Sequence, residues 1–168
     1  MIKVRKSLQQ EPLWSVRQVE WSLLVGVVVV LALLFSRQVH LIQGQGELAA
    51  VRSTLGALRT AFALDHLHKQ VVDQTSPVAL VQRNPFELLQ RHPVNYLGEM
   101  SAAQAVAAPV GSWVYDAVCA CVGYLPIYAQ WLDSPSGDVM AWYRVSGAPG
   151  PLQLTAKENY VWQGQALN

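Results

Sequence analysis

Cys119 and Cys121 are the chain's two cysteines, and they stand two positions apart. On a strand, residues i and i+2 share a face, with Cα atoms about 6.5 Å apart at a rise of about 3.3 Å per residue. That is near the upper limit for a disulfide, so a bond requires a bulge or turn between the two. In an oxidising compartment two lone cysteines usually pair. Three readings stay open: a bonded pair, two buried thiols, or a redox pair. The redox reading lacks the C-x-x-C spacing that lowers a thiol pKa.

The other candidates for chemistry are sparse. Histidines stand at 40, 66, 68 and 92. His66 and His68 point to different faces of a helix and cannot share a metal. A polar surface with an Asp65–Lys69 pair is expected there. Asp116, Asp133 and Asp138 fall at strand ends and turns, where Asp serves the backbone. A calcium site built from these oxygens is the alternative. The sequence contains no G-x-S-x-G, H-E-x-x-H or phosphate loop. The expectation is a non-enzymatic protein with no catalytic residue, metal, cofactor or small-molecule substrate.

The elements that carry these residues are dominated by Trp21 to Phe35, WSLLVGVVVVLALLF, in which Ser22 alone is polar. A spanning helix needs about 20 apolar residues for roughly 30 Å of hydrocarbon. Arg17 and Arg37 can reach the headgroups from either end, and Val39, Leu41 and Ile42 extend the apolar character. A membrane span over 21–36 is expected, with membrane lipid as a partner. A cleaved signal peptide would need an A-x-A site, and SRQVHLIQGQG follows instead. A buried core helix would need a large core. Lys3, Arg5, Lys6 and Arg17 precede the span, whereas Arg37 and Arg52 follow it closely. The basic tail of residues 1–20 is therefore expected in the cytoplasm and the remainder in the periplasm. The part after Phe35 carries eight Lys/Arg and nine Asp/Glu, which argues against a nucleic-acid surface.

Beyond the span, Leu41, Leu48, Leu55 and Phe62 recur every seven residues, with Val51 and Leu58 between them. This predicts a helix from about 16 to about 72, bent near Gly44, with a stalk over 37–72. The stripe either packs on the chain's own sheet, which is favoured, or pairs with a second chain. Region 73–110 reads as a loop with short helices started at Ser76-Pro77 and Asn84-Pro85. Glu87 is placed for a capping box, Phe86, Leu88 and Leu89 for docking on the core. Residues 94–100 read as a loop and 101–110 as an Ala-rich surface connection. Strands are expected over 112–116, 118–125, 139–145, 152–156 and 159–162, with a turn over 147–151. The fold class is α+β, with a long helix burying its stripe on a small antiparallel sheet over 111–168.

This layout resembles type IV pilins and type II secretion pseudopilins. Asn84-Pro85-Phe86-Glu87-Leu88-Leu89, Asn95-Tyr96-Leu97-Gly98-Glu99, the run Pro109 to Asp116 and Val122-Gly123-Tyr124-Leu125-Pro126 look like pilin-like proteins of proteobacterial secretion and MSHA-type pilus systems. The resemblance implies a pilin-like fold in the bacterial inner membrane. Pilin-like or inner-membrane assembly proteins are the partners it implies. They would meet the helix and an aromatic surface such as Tyr128 or Trp131. Glu20 stands where pilins carry a Glu inside the apolar helix and is the implied intramembrane contact. The matching cleavage point falls between Ser15 and Val16, without the usual Gly, which favours an uncleaved accessory protein. A bitopic coiled-coil scaffold of the assembly platform or divisome is the alternative.

Overall fold

The computed structural model describes residues 15–72, 83–147 and 152–167. The tail to residue 14, the helix start at Ser76-Pro77, the turn residues 148–151 and the Lys69 side chain lie outside the described residues. The chain divides into two compact units, Met1–Gln43 and Gly44–Asn168.

A single helix, α1 (Val16–Val72), runs through Gly44 and Gly46. In the first unit its apolar side chains are exposed on every side, Trp21 at 63% and Phe35 at 71%. An all-round apolar surface of that kind is stable where hydrocarbon replaces water. Leu41, also in this unit, is 54% exposed and takes no part in the core, so the seven-residue stripe contributes to the fold only from Leu48 onward.

In the second unit Leu48, Val51, Leu55, Leu58 and Phe62 are each at most 1% exposed. They pack on one face of a five-stranded sheet. Burial of an apolar side chain contributes about 1.5–3 kcal/mol, so five such residues supply on the order of 10 kcal/mol before chain entropy is subtracted. The sheet is ordered β1-β2-β3-β5-β6, from β1 (Tyr96–Glu99), β2 (Ser112–Asp116), β3 (Cys121–Leu125), β5 (Ala141–Ser146) and β6 (Gln153–Ala156). A second, three-stranded sheet holds β4 (Leu132–Asp133), β7 (Val161–Trp162) and β8 (Gln165–Ala166) in that order.

The fold is α+β, but the sheet is mixed rather than antiparallel. β1 lies in the segment expected to be a loop and runs parallel to β2, with Tyr96 opposite Trp113. A parallel pair needs a crossover of about a dozen residues. The segment between Glu99 and Ser112 provides it, through a short helix α2 (Ala102–Ala105) inside the expected Ala-rich connection. The Ser101 amide donates to Gln104 Oε1 at its start, at 3.1 Å. Pro85–Leu88 forms a 3-10 turn rather than an α-helix. Asn84 Oδ1 accepts from the Phe86 amide at 3.0 Å, while Glu87 pairs with Arg83 at 3.1 Å instead of closing a capping box. Phe86 is fully buried and stacks on Tyr96 with ring centroids 4.1 Å apart, which explains why an edge strand forms there.

Both faces of β2 and β3 are covered, so every residue in them is buried. Trp113, Tyr115, Val122, Tyr124, Ala141 and Tyr143 meet α1. Val114, Cys121, Leu125, Met140 and Trp142 form a second cluster with Ala105 on the opposite face.

Truncating the stripe tests this division. Leu55→Ala in the full-length protein in detergent is expected to lose about 2–5 kcal/mol of stability, read by denaturant unfolding followed through near-UV dichroism. Leu41→Ala is expected to stay within about 0.5 kcal/mol of the parent.

Candidate functional site

Among the described residues one helix is long and apolar enough to cross a membrane. Its most apolar 18-residue window has a mean hydropathy of 2.4 and no buried residue. Glu20, the expected intramembrane contact, is exposed within the same helix.

The second unit carries an interior acid that the spacing of the sequence does not single out. Glu47 is only 8% exposed. Its Oε1 accepts from the Tyr124 hydroxyl at 2.7 Å and from the Ile127 amide at 2.9 Å. Oε2 is buried without a partner among the described residues. The one signal in the sequence is an acid directly before Leu48, the first buried residue of the stripe. One turn earlier, the Trp162 indole N–H donates to the Gly44 carbonyl at 3.0 Å. A Cβ at position 44 would overlap the Gln163 side-chain amide, which would have to move aside. Arg52 adds a third tie, donating to the Ala166 carbonyl at 3.0 Å. Hydrogen bonds at three positions of α1, Gly44, Glu47 and Arg52, therefore tie it to β3, to the loop after β3 and to the C-terminal strands.

Burial pushes the Tyr124 hydroxyl far above its ordinary value, and the hydrogen bond to Glu47 pushes the same way. Tyr143 is also driven up, mainly by burial, and its hydroxyl has no partner among the described residues.

Cys119 and Cys121 are bonded, with Cα atoms 5.2 Å apart. The turn between them is made by Ala120, whose φ of 51° lies in the left-handed region. A left-handed non-glycine residue costs about 1 kcal/mol or more. Closing so short a loop yields about 1.5 kcal/mol in the chain-entropy model, against about 3 for fifteen residues. The bond therefore adds almost nothing to stability. It lies at a cleft of about 310 Å³ on the sheet face away from α1. Asp116 and Asp138 line the same cleft, whereas Asp133 does not. Both oxygens of Asp116 are occupied by backbone amides, of Ala102 at 3.0 Å and of Val118 at 2.9 Å. Among the described residues no group of three His, Cys, Asp or Glu is placed to hold a metal ion, and the three Asp residues of the calcium alternative do not line one cleft.

A groove of about 760 Å³ runs between one side of α1 and the segment after the 3-10 turn, lined by residues that include Ala57, Ala61, Leu64 and Leu89. His68 and Asp65 lie on its wall, whereas His66 does not. Trp131, expected as an exposed partner surface, is 7% exposed and packs between Tyr128 and Trp162. Tyr128 remains on the surface.

Comparison with protein-family models, with curated proteins and with solved structures returned no match.

Two of the interior tyrosines, Tyr124 and Tyr143, separate under mutation. Tyr124→Phe leaves Glu47 Oε1 short of a donor and is expected to lose about 1–3 kcal/mol, whereas Tyr143→Phe is expected to be neutral or stabilising. Both hydroxyls have folded pKa values raised above the ordinary 10.0. The unfolded chain then releases protons first, so stability should hold below about pH 10 and fall as pH rises above it. Unfolding scans across that range, compared with the ultraviolet tyrosinate signal, check both statements. Tyrosinate appearing at these two positions before unfolding would contradict them.

Proposed function

We propose that this chain is a non-enzymatic, membrane-anchored accessory component of a type IV pilus or type II secretion-like assembly machine, with a pilin-like architecture. The observation that carries the reading is a single helix that changes role along its length. It is apolar and exposed all round over 21–35, and it is buried as a stripe against a small sheet from Leu48 to Phe62. That arrangement puts an anchor and a folded unit on one chain segment, and it supports a part that is held in place rather than one that diffuses to a substrate.

In this reading the span sits in the bacterial inner membrane. Residues 1–20 face the cytoplasm, because positive charge is concentrated before the span, and the sheet unit faces the periplasm. Pilin-like or inner-membrane assembly proteins are the partners, met through helix packing within the bilayer, where Glu20 at the edge of the apolar run is a polar contact in a poor solvent for charge. The scaffold alternative required the seven-residue stripe as a seam between two chains. Five of its six positions are occupied by the chain's own sheet, which leaves that alternative little seam to use.

Two measurements test the proposal. Deletion in the host is expected to abolish or strongly reduce pilus assembly or secretion, and normal levels of both would sink it. The intact mass of the protein extracted from host membranes is expected to include residues 1–15. A chain starting at Val16 would instead favour a processed fibre subunit.

A further inference from the structure

The cleft on the outer face of the five-stranded sheet joins the Cys119–Cys121 bond to a cation. Cys121 is buried on β3, and its register partner on β5 is Arg144. Residues directly opposite in an antiparallel pair stand on the same face with Cβ atoms about 4.5–5.5 Å apart. Lys157 lines the same cleft, and Val139, Met140 and Trp142 give it an apolar wall. Both cysteines line the cleft, but Cys119 is half-buried whereas Cys121 is 1% exposed, so Cys119 is the more accessible half of the bond. A bond that barely stabilises the hairpin, closed through a left-handed alanine and set in register with Arg144 at a cleft that both residues line, is poorly explained as a staple.

We propose that the Cys119–Cys121 disulfide is a stoichiometric redox site that exchanges with protein dithiols, with Cys119 as the sulfur attacked and Cys121 as the leaving group held opposite Arg144. A donor thiolate attacks Cys119 Sγ. The sulfur–sulfur bond breaks and its electron pair goes to Cys121 Sγ, which leaves as a thiolate and takes a proton from solvent. The donor's second thiolate then attacks the donor sulfur of the mixed disulfide. Cys119 leaves as a thiolate and is protonated in turn. The donor dithiol has lost two electrons and two protons and become a disulfide, and the cysteine pair has gained both. Arg144 acts on the leaving group, since a thiolate beside a guanidinium is a better one. This chemistry goes beyond the assembly role and does not depend on it.

The test uses the full-length protein in detergent, with dithiothreitol as the probe, alkylation to quench and intact mass as readout. Reduction is expected without denaturant, at least about tenfold faster than oxidised glutathione reacts with the same dithiol. Arg144→Gln is expected to slow it roughly three- to tenfold, while the distant Arg83→Gln leaves the rate unchanged. Near-UV dichroism confirms that each variant keeps its fold. With oxidised glutathione, Cys121→Ser is expected to take up one glutathione on Cys119, and Cys119→Ser none. Reduction that occurs only in denaturant, or an Arg144→Gln rate equal to the parent's, would overturn the proposal. Equal glutathione uptake by the two folded serine variants would overturn the order of attack. If either serine variant fails to fold, the parent and Arg144→Gln rates decide alone.

Discussion

Burial of one helix stripe against one sheet face is the interaction from which the folded unit follows. Leu48, Val51, Leu55, Leu58 and Phe62 cover Trp113, Tyr115, Val122, Tyr124 and Tyr143, and that contact removes most of the large apolar side chains from water. The sheet has a second covered face, but its cluster is smaller and is closed by α2 and side chains such as Met140 and Trp142 rather than by a long helix. The first contact also explains the polar ties. Glu47, Gly44 and Arg52 each hold a position on α1 to a different part of the C-terminal half. Such bonds add modest energy individually, but they restrict rotation of the helix about its axis, which nonspecific apolar packing does poorly.

The helix was legible in the sequence because its signals are long and redundant. Fifteen nearly uninterrupted apolar residues followed by a seven-residue repeat leave few alternatives, and α1 occupies the expected range. The strand at 112–116 was legible from alternation of Trp, Tyr and Val, and so was the one expected over 139–145, which starts two residues later, at Ala141–Ser146. Others were not. β1 is four residues long and includes Gly98 at a positive φ, so it presents a turn signal where a strand forms, and the order there comes from Phe86 stacking on Tyr96. β4, β7 and β8 are two residues each, too short to show any period.

The chemistry divides in the same manner. The spacing of Cys119 and Cys121 indicated that a bond would need a turn between them, and Ala120 makes it. That Arg144 faces Cys121 could not be read, because it depends on the register of β5 against β3, which tertiary packing sets. Glu47 was hidden for a related reason. An acid next to an apolar stripe ordinarily points to solvent, and only the loop after β3 folding back to offer the Ile127 amide turns it into an interior group.

Gly123 has a wider consequence for this architecture. It lies in the middle of β3 beneath the Trp142 ring, which occupies the space where a Cβ would project. Its neighbours Val122 and Tyr124 point to the helix side, while the indole on the other side walls the cleft. A methyl group added at this point would lift the indole out of its seat and open the cleft, leaving the helix contact unchanged in composition. Position 123 thus constrains the outer face of the sheet through the side chain it lacks.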